Sequence, residues 1–139
     1  MKIKKLKVYL AGQSNFHDND WKKLFSGITE CIFHDPEVDS NQTSPDTFFP
    51  DDMKAVRTSD FLVANPGMVS SEGTWIEIGY FYAHNTKSPG DFCNKLIIIW
   101  QENRLPKWSI EFAKKTGFVV STFEEAKEKL KELIKEKKT

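Results

Sequence analysis

Five short apolar runs punctuate the chain, and between them apolar residues recur every three or four positions. The runs are Lys7–Ala11, Cys31–Phe33, Phe61–Ala64, Lys95–Trp100 and Phe118–Val120. Each is too short for a helix, and most end at a breaker such as Gly12, His34-Asp35-Pro36 or Asn65-Pro66-Gly67. They predict five strands. Leu-Ile-Ile-Ile-Trp in the fourth run is apolar without alternation, as in a strand buried on both faces. Trp21, Leu24, Phe25 and Ile28 have helical spacing, with Asn19 or Asp20 as cap and Gly27 near the stop. Pro50 suits a first helical position, which predicts a second helix from there to about Thr58. A third helix opens at Thr74, a fourth covers Trp108–Thr116, and Thr122-Phe123-Glu124-Glu125 is a capping box for the last.

Strand and helix therefore alternate throughout, which implies a parallel sheet covered on both faces. The predicted fold is α/β, a flavodoxin-like or Rossmann-like three-layer sandwich. It has a five-stranded parallel sheet in the order 2-1-3-4-5. In such a sheet ligands bind at the carboxyl ends of the strands, where strands one and three diverge. Tyr9 to Phe16 would face Asn65 to Glu77 across that crevice. The stretch Glu37–Thr47, rich in Asp, Ser, Asn, Gln, Thr and Pro, is expected to be a long loop.

Composition narrows the function classes. The 139 residues suit a single domain spanning 1–139. Lys+Arg and Asp+Glu are both 20, so nothing advertises polymeric nucleic acid or an anionic membrane surface. No run is long enough to span a membrane, and charges interrupt every apolar stretch near the start. Cys31 and Cys93 match no zinc or redox spacing. A soluble cytoplasmic protein with reduced thiols is expected.

Candidate chemistry clusters at the crevice. Glu77 is a carboxylate able to attack an anomeric carbon or to stabilise an oxocarbenium ion. Equally, Thr74-x-x-Glu77 has the spacing of a capping box, and a helix N-terminus would depress the Glu pKa. Asp51 and Asp52 follow Pro50, where acidic residues also serve the helix dipole. Tyr9 is central in the first strand, and a buried tyrosine needs a hydroxyl partner. Gly12 and Ser14 could offer N–H and O–H groups. Phe16, Phe48, Phe49 and Trp75 could stack on a base. His17-Asp18 and His34-Asp35 lack further ligands at metal-binding spacing, so no metal is expected. No Gly-x-Gly-x-x-Gly or Walker pattern occurs, and no cofactor is expected.

Taken together, these residues resemble the nucleoside 2-deoxyribosyltransferase family. Val8-Tyr9-Leu10-Ala11-Gly12 is similar to its first strand with an active-site tyrosine. Asp52 stands at its helical aspartate, and Ser71-x-Gly73-Thr74-x-x-Glu77-Ile78-Gly79-Tyr80 is similar to its nucleophile signature. The resemblance implies cleavage of the N-glycosidic bond of nucleosides. Glu77 would attack C1′, Tyr9 would orient Glu77, and Asp52 would contact the base or a sugar hydroxyl. Gly12, Gln13, Ser14, Asn15, Phe16, Asn65, Ser71 and Gly73 would bind substrate. A homo-oligomer is implied as well.

Family transferases carry Asp where this chain has Ser71. Serine there resembles the related 2′-deoxynucleoside 5′-monophosphate N-hydrolases, in which it helps to bind the phosphate. That branch also has an Arg in the loop after strand one, where this chain has Asn15, and Glu72 would repel a phosphate. Transfer to an acceptor base and hydrolysis by water are thus both open. A non-catalytic nucleotide-binding module is a reading of another class, and a flavin carrier is a blander one.

Overall fold

The computed structural model describes residues 4–12, 21–40, 43–67, 72–100 and 107–138. Its strands are β1 (Leu6–Ala11), β2 (Cys31–His34), β3 (Phe61–Ala64), β4 (Leu96–Ile99) and β5 (Phe118–Val120). Its α-helices are α1 (Pro36–Asp39), α2 (Pro45–Thr58), α3 (Glu72–His84), α4 (Lys107–Thr116) and α5 (Phe123–Lys138), and a 3-10 helix covers Trp21–Gly27. All pairings are parallel and the order is β2-β1-β3-β4-β5, as the alternation of runs and helices predicts.

Successive side chains of a strand point to opposite faces, so the sheet splits the core in two. Val8, Leu10, Phe61, Val63, Ile97 and Ile99 pack with Trp21 and Phe25 of the 3-10 helix and with Leu130 and Ile134 of α5. Tyr9, Ala11, Leu62, Ala64, Leu96 and Ile98 pack on the other face with Val56 of α2, Ile78 and Phe81 of α3 and Ala113 of α4. Cys31 belongs to the first half and Cys93 to the second; both are free and buried.

Four elements depart from the sequence expectation. Trp21–Gly27 winds as a 3-10 helix, and Ile28 follows it. The second helix begins at Pro45, which takes the early position expected of Pro50, and Pro50 falls inside it. Thr47 explains the earlier start: its Oγ1 accepts from the Ser44 N–H at 3.1 Å and donates to the Ser44 carbonyl at 2.8 Å. The supposed loop therefore shrinks, because α1 also forms within it, capped by the Asp35 carboxylate on the Glu37 N–H at 3.0 Å. Finally, α3 starts at Glu72, so Thr74 and Glu77 lie inside it and form no N-terminal box.

α3 is apolar on more than one side. Ile78 and Phe81 face the core, while Ile76 and Tyr80 are exposed at 55% and 37%. A surface helix ordinarily turns polar residues outward.

Candidate functional site

The carboxyl ends of β1 and β3 approach closely because Gly12 has no side chain. Its φ is +117°, and a Cβ there would lie 2.2 Å from the Asn65 carbonyl oxygen. The Asn65 N–H donates to the Ala11 carbonyl at 2.8 Å, and its side-chain oxygen accepts from the Gly67 N–H at 3.1 Å. Asn65 is thus a buried residue that shapes the loop after β3.

Tyr9 is wholly buried on the face covered by α2 and α3. Its hydroxyl donates to Glu77 Oε2, which reaches in from the second turn of α3. Burial, then the Glu77 charge, holds the Tyr9 hydroxyl proton far above the ordinary phenol range, so Tyr9 acts only as a donor. Glu77 is 7% exposed. Burial pushes its carboxyl up to about 7; the Asp52 charge adds to this, while the Tyr9 hydrogen bond and Lys22 oppose it. The sequence expectation of a depressed pKa is therefore reversed. Glu77 lies past the first turn, where the helix dipole is strongest, and desolvation dominates.

Asp52 faces the same space from the middle of α2, well beyond the first turn to which the dipole explanation assigned it. Its carboxylate accepts from Ser40 Oγ. Burial raises its pKa; the Ser40 hydrogen bond, His34 and Lys22 pull it back, and Asp51 pushes it further up. Lys22 is itself almost fully buried and is held by Asp35 at 2.6 Å and Glu37 at 3.0 Å.

Glu77 and Asp52 border a cavity of about 300 Å³. That is the lower end of the size range of small-molecule sites. Glu77, Asp52, Glu37 and Thr74 supply its polar wall, and Phe48, Phe49, Met53 and Ile76 its apolar wall. Gly12, Pro36 and Gly73 complete it, and among the described residues a Cβ on Gly73 would meet nothing within 4 Å. Among the described residues no Lys or Arg lines the cavity, and no group of three or more His, Cys, Asp or Glu could hold a metal.

The fold has a solved counterpart. The chain is similar to the CMP N-glycosidase BcmB of Clostridium botulinum, with 23% identity and a TM-score of 0.59. The match covers 90% of this chain and 98% of that one. Neither a protein-family model nor a curated protein sequence matches. The likeness to BcmB is one of fold.

Of the residues singled out in the sequence, Tyr9, Gly12, Asp52, Gly73 and Glu77 converge at this crevice, with Asn65 directly beneath Gly12. Gln13, Ser14, Asn15, Phe16 and Ser71 lie outside the described residues. Sequence reasoning missed Ser40, which sat in the supposed loop, and Glu37. It considered His34 only as a metal ligand, although the end of a strand bordering the crevice already marked that residue. Among the described residues no helix is long and apolar enough to cross a membrane.

Proposed function

We propose that the protein cleaves the N-glycosidic bond of 2′-deoxynucleosides, with Glu77 as nucleophile, and transfers the deoxyribosyl group to an acceptor base. The observation that carries this reading is the Tyr9 hydroxyl donating to a buried Glu77 carboxylate, beside Asp52 in one cavity. Tyr9 occupies Oε2, which leaves Oε1 to attack C1′. As the Oε1–C1′ bond forms, the C1′–N bond breaks and its electron pair passes to the base. Asp52, whose pKa burial raises, supplies the proton that the leaving base takes up. A nitrogen of a second base then attacks C1′, passes its proton to the Asp52 carboxylate and releases Glu77, as in other covalent glycosyl transfers.

The acidic lining of the cavity supports a nucleoside as substrate over its monophosphate. Among the described residues three acidic side chains line it, the nearby Lys22 is committed to Asp35 and Glu37, and a phosphate would meet repulsion from them. Phe48 and Phe49 offer flat surfaces for a base. Water as the acceptor is the second reading, supported by the likeness to an N-glycosidase. We also read the exposed apolar side of α3 as the contact surface of a homo-oligomer, since Ile76 belongs both to that side and to the cavity wall.

The deciding experiment incubates the protein with deoxynucleosides and their 5′-monophosphates, with and without an acceptor base, and separates the products. Base exchange is expected with nucleosides. Free base and free sugar would replace transfer by hydrolysis, and turnover confined to monophosphates would overturn the substrate assignment. Tight binding without turnover across the panel would leave a binding module instead.

A further inference from the structure

Behind Asp52 lies a second line of polar contacts that the proposed chemistry leaves unused. Tyr9 and His34 are register partners on β1 and β2, and their rings stack at 5.2 Å between centroids and 16° between planes. Tyr9 extends to Glu77. His34 extends the other way: its Nε2 lies 3.2 Å from Ser40 Oγ, and Ser40 Oγ donates to Asp52 Oδ1. Ser40 is 8% exposed, so water competes little for its hydroxyl.

We propose that Ser40 is a positioning residue that relays a proton between His34 and Asp52. This inference rests on the reading of Asp52 as the group that protonates the leaving base. A serine has one hydroxyl hydrogen and accepting lone pairs. With Asp52 ionised, Ser40 donates to Oδ1 and accepts from an Nε2–H of His34. With Asp52 protonated, the same contacts run in reverse: Oδ1–H donates to Ser40, and Ser40 donates to an unprotonated Nε2. Starting from a His34 imidazolium, the Nε2 proton passes to Ser40 as the Ser40 proton passes to Oδ1. The result is a neutral imidazole, a protonated Asp52 and an unchanged serine. Asp52 and His34 can therefore share one proton: the line delivers it to Asp52 for the leaving base and takes back the proton given up by the acceptor, without opening the cavity.

The charged and titratable groups around Asp52 come from every element that packs there. They are Lys22 from the 3-10 helix, His34 from β2, Tyr9 from β1, Glu77 from α3 and Asp51 from its own helix, with Glu37 of α1 in the same cavity wall. Among them only His34 joins Asp52 through the Ser40 hydroxyl.

Two measurements on Ser40→Ala test this. The first needs no activity: a carbon NMR titration of the Asp52 carboxyl. Loss of a donor to the anion should move its midpoint upward by roughly half a pH unit or more; an unmoved midpoint overturns the relay. The second is kinetic. Ser40→Ala should lower kcat by about tenfold or more, with KM changed less than about threefold, and should shift the pH profile. Ser40→Thr keeps the hydroxyl and should recover most of the rate. Full kcat in Ser40→Ala, or Ser40→Thr as impaired as Ser40→Ala, overturns the role. Should Ser40→Ala fail to fold by circular dichroism, His34→Gln takes its place. Gln still donates to Ser40 but takes up no proton, so the expected result is a slower enzyme with an altered pH profile, and a wild-type profile overturns the relay. A wild-type protein inert on every nucleoside would sink the proposed function while leaving the titration to decide the hydrogen-bond line.

Discussion

Glu77 keeps its proton in the folded chain to a pH of about 7, against an ordinary value of 4.5. Between these values the folded state holds a proton that the unfolded state has lost. Stability from this group is therefore complete below about pH 4.5 and declines as the pH rises through about 7. Glu77→Gln removes the titration yet keeps an oxygen for Tyr9. Its expected effect near neutral or mildly alkaline pH is stabilisation by about 1–3 kcal/mol, read as a higher Tm than the wild type, with the gap closing in acid. The same variant should lose about a thousandfold or more in glycosyl transfer, because an amide is no nucleophile. In the wild type the attacking form is the carboxylate, so kcat should climb as Glu77 ionises near pH 7, and should fall again where Asp52 loses the proton that the leaving base needs. Tyr9→Phe deletes the hydrogen bond that favours the anion, so the rising limb should move to higher pH, with kcat reduced by about ten- to a hundredfold.

At the scale of elements, two glycines in the same cavity should respond in opposite ways. Gly12→Ala forces a Cβ to within 2.2 Å of the Asn65 carbonyl oxygen at a φ of +117°. Urea denaturation should show a loss of more than about 2 kcal/mol. Gly73→Ala meets no atom within 4 Å among the described residues and lies in a helix, so it should stabilise by about 0.5 kcal/mol. Its methyl group would occupy the cavity, so KM should rise. The strands were readable because each is a short apolar run, most of them closed by a breaker, and their alternation with helices gave a parallel sheet for which five strands suggest the flavodoxin-like order. Helix starts were not. Pro50 looked like a first-turn residue, but Pro45 and Thr47 start α2 earlier, and a proline pattern cannot rank two candidates. The same uncertainty made Thr74 and Glu77 look like a cap. Only the strand–helix contact between Tyr9 and Glu77, 68 residues apart, shows what that carboxylate touches. Ser40 was illegible for a similar reason, since its partners His34 and Asp52 are joined by folding and not by spacing.

For the whole molecule, the contact surface proposed on α3 makes a prediction. Light scattering after gel filtration should report more than one chain per particle, and Ile76→Asp with Tyr80→Glu should return it to one. An unchanged mass in the double variant would place the contact elsewhere. The two thiols offer a different measurement of the whole. Cys31 and Cys93 sit on opposite sides of the sheet, at 7% and 1% exposure, and burial pushes the Cys31 thiol up to about 11. In the native state neither should react readily with a thiol reagent, since the thiolate is the reactive form. Each is thus a clock for the opening of its own layer. Equal labelling rates would mean that the layers part from the sheet in one event, and a faster Cys93 would mean that the layer bearing Glu77 and Asp52 breathes on its own.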